Sequence, residues 1–293
     1  GYIGQVWTGP VNWALANYDS PDKSFFASAY VLYDYFTELT RGTDRKLWML
    51  IDPVEDDPRH TWAEFEEWYC RSAVAALMFP GFDAFEVMPW PDRIFLPGHQ
   101  TGGGTPAPER FRIITLSIVQ AQQEVPVEGE WMSDVCERPT EGIGVAMADT
   151  LLWHRLEPPL LQGIYGMFLP LVNRGIPVSA CLLERAMEPG YLERFKVIVL
   201  SYEDMKPLDL KVNTALADWV RRGGRLIVLG SGGNLTDESF WWTKLGTNDP
   251  LVHLLENELG IEGMKDADLP VDKGRVWRRR TSARRFADPV VAK

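Results

Sequence analysis

The sequence predicts an α/β protein in two parts: three βα units of a partial (β/α)8 barrel, followed by a doubly wound, flavodoxin-like domain. Strand-like and helix-like hydrophobic patterns alternate along the chain, which indicates parallel strands joined by right-handed helical crossovers. A closed barrel needs eight βα units, and only three precede a stretch rich in Pro, Glu and Gly. After that stretch the alternation starts again. We therefore place the barrel part at residues 1–124, a linker at 125–142 and the second domain at 143–293.

The first part contains three strand patterns, each followed by a helix pattern. The strands are predicted at YIGQVW (2–7), KLWMLID (46–52) and AFEVMPW (84–90), and the helices at 23–42, 61–79 and 110–124. Thr61 is the predicted N-cap of the second helix, because Glu64 three residues later completes a capping box. The Phe79-Pro80-Gly81 sequence ends that helix.

The second part continues the alternation with a different connectivity. Strands are predicted at GIGVAMAD (142–149), IPVSACLLE (176–184), FKVIVLSYED (195–204) and RLIVLGSGG (225–233). Helices are predicted at residues 159–175, 208–224 and 249–260. Gly175 and the Gly223-Gly224 pair follow helices, where a left-handed cap precedes the next strand. This order predicts an open α/β sandwich.

The charge balance excludes two classes of partner. The chain has 30 basic and 41 acidic residues and a formal charge of -11, which repels nucleic acid phosphates and anionic lipid head groups. The basic run RVWRRRTSARR at residues 275–285 is a local exception. We expect it to be a solvated or frayed segment, with an anion site as the alternative. Neither nucleic acid nor a membrane is expected as a partner.

Cysteine and histidine are scattered. Cys70, Cys136 and Cys181 form no C-x-x-C pattern, so we expect no disulfide framework, no metal site and no cofactor. No apolar run approaches the roughly 20 residues of a membrane helix, which predicts a soluble protein. The chain opens on GYIGQVW without an initiator methionine, which indicates that something upstream is missing. The compartment is left open, with the cytoplasm favoured.

Three stretches of the second part resemble the middle domain of the β-galactosidase-type (clan A) glycoside hydrolases, an amidotransferase-like module also called the trimerisation domain. They are FLPLVNRGIPVSACLLE (168–184), YLERFKVIVLSYEDMKPLD (191–209) and ALADWVRRGGRLIVLGSGG (215–233). The resemblance implies a homo-oligomer formed through this domain. Amidotransfer is not expected, because the turns after its strands carry no cysteine nucleophile. Ser231 lacks the G-x-S-x-G spacing of a hydrolase, and His253 is the histidine that follows it.

The resemblance also implies a barrel directly before this domain. Residues 2–7, 47–52 and 84–90 then correspond to the sixth, seventh and eighth barrel strands. The family's nucleophilic glutamate ends the seventh strand, and Asp52 occupies that position, with Glu55 one turn of loop beyond. The shorter aspartate withdraws the carboxylate by about 1 Å, a displacement that can cost about 100-fold in rate. Three alternatives stay open: Asp52 in a shifted geometry, Glu55 reaching back, or a barrel that is no longer a retaining glycosidase.

The candidate catalytic residues are Asp52, Glu55 and Glu86, since carboxyl groups at the carboxyl ends of barrel strands converge on one mouth. The family's acid/base glutamate follows the fourth barrel strand, which this chain does not contain. Asp56 and Asp57 are expected to be solvated loop residues.

Aromatic and amide side chains complete the predicted site. Indole rings pack against sugar rings, and amides hold hydroxyls, so the candidate substrate-binding residues are Gln5, Trp7, Asn12 and Trp90. Trp62 and Trp68 lie at helical spacing and are expected in the core.

Two functions remain open. The first is a glycoside hydrolase acting on β-linked sugars, in the form of a fragment that lacks the acid/base strand. The second is a carbohydrate-binding or oligomer-forming protein on a degenerate barrel. Asp52 in place of glutamate and the missing acid/base strand favour the second.

Overall fold

The computed structural model describes residues 2–7, 21–53, 55, 60–79, 82–86, 88–96, 105–124, 142–148, 158–232, 249–263 and 265–286. Of residues 2–7, 21–24, 158–162, 164 and 165 it describes the backbone alone. The chain divides into two compact units, residues 1–138 and 139–293. The division falls within the predicted linker, of which residues 125–141 lie outside the described ones.

The first unit holds a parallel three-stranded sheet with strand order β1-β2-β3. Its elements are β1 (Tyr2–Trp7), α1 (Pro21–Thr40), β2 (Leu47–Asp52), α2 (Trp62–Ala76), β3 (Ala84–Glu86), α3 (Pro91–Phe95) and α4 (Glu109–Glu124). β2 pairs with β1 along its whole length and with β3 over three residues. The predicted strands and long helices are present, although the strand predicted at 84–90 ends at Glu86 and the short helix α3 was not predicted.

The helices of the first unit pack around aromatic side chains. Helix α2 begins at the predicted cap, where the Glu64 backbone N–H donates to the Thr61 hydroxyl and the Glu64 side chain accepts from the Thr61 N–H. Phe25 of α1 stacks on Trp68 of α2 with ring centroids 4.3 Å apart. Trp62 packs against the same cluster, so both tryptophans expected in the core lie there. The cluster also contains Phe65, Ile94, Ala107 and Phe111.

The second unit holds a six-stranded sheet of order β5-β4-β6-β7-β9-β8. Its elements are β4 (Ile143–Met147), α5 (Pro158–Val172), β5 (Ser179–Leu182), β6 (Val197–Ser201), α6 (Lys211–Arg221), β7 (Arg225–Leu229), α7 (Pro250–Val252) continued by a π-helical segment (His253–Glu258), β8 (Ala267–Val271), β9 (Gly274–Arg279) and α8 (Ala283–Phe286). All pairs are parallel except β8 with β9.

The first four strands of this sheet have the order 2-1-3-4 found in flavodoxin-like sheets. The connections from β4 to β5 and from β6 to β7 run in opposite directions across the sheet. Right-handed crossovers therefore put α5 and α6 on opposite faces. The contacts agree with this, since α5 packs on β4, β6 and α8, whereas α6 packs on β9 and the π-helical segment. Gly175 and Gly223 take φ values of +68° and +124° after their helices, as predicted.

The basic run at residues 275–285 is not the solvated or frayed segment expected from its charge. Arg275 to Arg279 belong to β9, which lies between β7 and β8. The Arg278 side chain is buried, and its Nη1 donates to the Arg279 carbonyl. The prediction was wrong because backbone pairing with β7 depends on a distant strand rather than on the local charge.

Candidate functional site

The candidate site lies at the carboxyl end of β2. Leu47, Met49 and Ile51 point to the buried side of the sheet, and Asp52 follows with the opposite orientation, on the side of the half-exposed Trp48. Glu86 is in register with Leu50, two residues before Asp52. Residues two positions apart share a face, so Asp52 and Glu86 lie on the same side of the sheet, with Cα atoms about 8 Å apart from ideal strand spacings.

The substrate-binding candidates are only partly described. The backbone of Trp7 is in register with Asp52, and that of Gln5 with Leu50. Asn12 lies outside the described residues. Trp90 precedes α3, and its indole is 55% exposed with the Arg93 guanidinium 5.8 Å from the ring centroid. An exposed indole with a cation on one face leaves apolar ring surface open to a ligand.

Glu55, three residues after Asp52, is completely buried. Its Oε1 accepts a hydrogen bond from Arg93 Nη1 at 3.1 Å, and its Oε2 has no hydrogen-bond partner among the described residues. Burial raises the pKa of Glu55 to about 7, and the charge of Asp52 adds to the rise, while its own backbone N–H and Arg93 oppose it. At neutral pH both protonation states of this carboxyl group are therefore populated.

Two buried tyrosines are the polar neighbours of these carboxyl groups. The Tyr69 hydroxyl donates to the Met88 carbonyl, and the Tyr33 hydroxyl has no hydrogen-bond partner among the described residues. Burial raises the pKa of both phenols above the ordinary value, and nearby negative charges add to the rise, from Asp52 at Tyr33 and from Glu55 at Tyr69. Both hydroxyls therefore stay neutral.

The sequence analysis missed Arg93, Tyr33 and Tyr69. One signal for Tyr33 is its spacing of four residues from Ala29 and of eight from Phe25, which puts all three on the buried face of α1. Arg93 gives no signal beyond its place in a short helix that begins with proline.

The second unit does not bring Ser231 and His253 together through any contact found among the described residues. The Ser231 backbone N–H donates to Glu203 at 3.4 Å. His253 Nδ1 lies 3.2 Å from Asn213 Nδ2, and its Nε2 lies 3.7 Å from Glu258. The carboxyl edge of this sheet is instead occupied by its own ion pair, in which Arg284 Nη2 lies 2.5 Å from the buried Asp204.

The described residues contain no group of three or more His, Cys, Asp or Glu side chains placed to hold a metal ion. None of their helices combines the length and the apolarity needed to cross a bilayer.

Chemically, the first unit presents an acid/base arrangement. The Glu55 carboxyl has a pKa of about 7, and the charge of Asp52 contributes to that value. Glu86, which is partly buried, adds a third carboxyl group on the same face of the sheet as Asp52. Such sets carry out proton transfer and stabilise cationic intermediates.

Comparison with known proteins gives a limited result. No family model matches the chain, and no curated protein matches it. Among the solved structures that are similar in part are Gan42B, a GH42 β-galactosidase (11% identity, TM-score 0.40, 73% of this chain and 31% of that chain), and a catalytic mutant of Gan42B from G. stearothermophilus (11%, 0.33, 67% and 34%). The chain thus spans about a third of their length. A likeness at this identity and TM-score assigns neither an activity nor a residue role to this chain.

Proposed function

We propose that this chain is part of a glycoside hydrolase that acts on β-linked sugars through carboxyl groups at the end of β2. The observation that carries the proposal is the buried Glu55 carboxyl, whose pKa of about 7 is raised in part by the charge of Asp52. Catalytic sites are where burial and like charges shift a carboxyl pKa toward neutrality. In this proposal the first unit is part of a (β/α) barrel, and the second is the amidotransferase-like domain of the β-galactosidase type.

The three carboxyl groups have different roles in the proposal. Asp52, which is buried, and Glu86, which is partly buried, share one face of the sheet, and in this proposal both contact the sugar. Glu55 is also buried and is a positioning residue, because its charge is coupled electrostatically to that of Asp52. Trp90 provides an apolar surface for the sugar ring.

Hydrolysis of p-nitrophenyl β-galactoside and β-glucoside tests the proposal. We expect Asp52→Asn to lower kcat by at least about 100-fold, as for loss of a catalytic carboxylate, and Glu86→Gln to lower it as well. Matched controls are Asp44→Asn and Glu109→Gln, which remove the same charges from exposed positions of the same unit. Turnover by Asp52→Asn and Glu86→Gln equal to that of the controls would remove both residues from the mechanism.

A second candidate is sugar binding without turnover, in a homo-oligomer formed through the second unit. The observation that favours it is the exposure of Trp48 and Trp90, at 45% and 55%. Calorimetric titration with galactose and lactose, together with light scattering, distinguishes the two functions. Binding that is lost in Trp48→Ala and Trp90→Ala, kept in the exposed control Ile113→Ala, and accompanied by no hydrolysis would favour this second candidate.

A further inference from the structure

We propose that a surface pocket at the amino end of the second sheet binds a compact oxyanion, one that carries phosphate or carboxylate groups. The pocket has a volume of about 370 Å³ and lies where α6 ends and β7 begins. Lys196, Arg222 and Arg225 line it, with the Gly223-Gly224 turn between them. The proposal is independent of the glycosidase proposal, because it concerns another unit and other residues.

The charges in the pocket are unbalanced. Arg222 is paired with Glu193, with 2.7 Å between Nη2 and Oε1. Lys196 and Arg225 make no ion pair with any described residue. Among the described residues that line the pocket, three cations therefore accompany one carboxylate, in a chain whose formal charge is -11. A cleft lined by one sign of charge concentrates counter-ions of the opposite sign.

The end of helix α6 could offset this positive charge, because the last carbonyls of a helix form the negative end of its dipole. These carbonyls are occupied by backbone donors. The Asp218 carbonyl accepts from the Arg222 N–H at 3.1 Å, and the Trp219 and Val220 carbonyls accept from the two glycine N–H groups at 3.0 and 2.9 Å. The charged side chains therefore determine the sign of the net charge in the pocket.

The floor of the pocket is closely packed. Phe195 and Trp219 are buried, and the Trp219 Nε1–H donates to the Phe195 carbonyl at 3.2 Å. A Cβ atom on Gly224 would lie 2.4 Å from the Trp219 ring, so the turn comes as close to the indole as glycine allows. Because the pocket is already formed, binding does not require the free energy of ordering these groups.

The class of ligand follows from the volume of the pocket and from the basic side chains that line it. A guanidinium group presents paired N–H donors that match the oxygens of phosphate and carboxylate. The pocket volume falls at the small end of the range for small-molecule sites, about 300 to 1,000 Å³. We therefore expect a small anion with two or three negative charges rather than a polymer.

Backbone amide NMR of the ¹⁵N-labelled 293-residue chain tests the proposal, with pyrophosphate as one probe and citrate as the other. We expect saturable shifts at the Gly223, Gly224 and Arg225 amides with at least one probe, absent in NaCl of equal ionic strength. Affinity should fall several-fold between about 50 and about 300 mM NaCl, because the contacts are exposed to solvent. The probe that binds more tightly identifies the phosphate or the carboxylate class.

Variants decide whether Lys196 and Arg225 are responsible. We expect Lys196→Gln with Arg225→Gln to weaken binding by about tenfold, the sum of two exposed charge contacts. The matched control is Lys211→Gln with Lys265→Gln, which removes two exposed positive charges from elsewhere in the same unit and should leave binding unchanged. Shifts absent with both probes, or equal affinity in the two double variants, would overturn the proposal.

Discussion

Arg93 satisfies only one of the two carboxyl oxygens of Glu55. Its Nη1 lies 3.1 Å from Oε1, while Oε2 is buried without a hydrogen-bond partner among the described residues. A buried carboxylate is stable only when both oxygens are satisfied, so this arrangement favours the protonated acid. The protonation state of Glu55 therefore depends on pH and on the presence of the Arg93 guanidinium.

The first prediction concerns stability against pH. The pKa of Glu55 is about 7 in the folded protein, against an ordinary value of 4.5. Between these values the folded state binds a proton that the unfolded state has lost. Protonated Glu55 therefore contributes its full amount to the free energy of unfolding below pH 4.5, and this contribution disappears as the pH rises through 7. The total is about 3 kcal/mol. Denaturant unfolding of the wild type and Glu55→Gln should show this pH-dependent loss in the wild type alone; parallel curves would contradict it.

The second prediction concerns the cation. Because Arg93 lowers the pKa of Glu55, Arg93→Met should raise that pKa above its wild-type value. The pKa is measured from the ¹³C shift of the Glu55 carboxyl group. The control is Arg71→Met, since Arg71 pairs with Glu67 on the surface of the same unit. An unchanged titration in Arg93→Met would show that the ion pair does not form in solution.

The third prediction compares two buried tyrosines. The Tyr33 hydroxyl has no partner among the described residues, whereas the Tyr202 hydroxyl donates to Asn213 Oδ1 at 2.7 Å. Removing an unsatisfied polar group relieves its desolvation cost, and removing a satisfied one leaves its partner unpaired. We expect Tyr33→Phe to raise the free energy of unfolding by about 1 kcal/mol and Tyr202→Phe to lower it by about 1 to 2 kcal/mol. The reverse order would reveal a buried water at Tyr33.

The fourth prediction concerns the ion pair of the second unit. Asp204 is buried and accepts hydrogen bonds from Arg284 at 2.5 and 3.2 Å. Arg284→Met leaves this carboxyl group without its guanidinium, so we expect the unfolding free energy at pH 8 to fall by about 2 kcal/mol. Adding Asp204→Asn should recover part of the loss. A double-mutant cycle gives the coupling, and simple additivity of the two changes would exclude a net interaction.

The alternation of strands and helices could be predicted because hydrophobic residues recur with one period in strands and with another in helices. The capping box at Thr61 and Glu64 is local, and the structure contains it. The structure ends β3 at Glu86, four residues before the predicted end. Of the described residues that follow, Met88 has a carbonyl that accepts from Tyr69, and Pro89 has no N–H to donate.

The candidate site was predictable only where it follows a strand. Asp52 and Glu55 were found from the end of β2, since parallel strands deliver their last residues to a common edge. Arg93 lies in a short helix that carries no periodic pattern. The spacing of Tyr33 predicts that it is buried but does not predict which carboxyl groups lie near it, because those contacts depend on packing between distant segments. The roles assigned to Gln5, Trp7, Asn12 and Trp90 stay predictions.

The place of β9 bears on the synthesis of this protein. β9 is the last strand among the described residues, yet it lies inside the sheet, between β7 and β8. While residues 274–279 are still within the ribosome, one edge of β7 remains unpaired. Its free backbone N–H and C=O groups can then pair with strands of other chains. Chaperone capture, or aggregation when chaperones are scarce, will therefore concentrate on nascent chains that have exposed β7 but not yet β9.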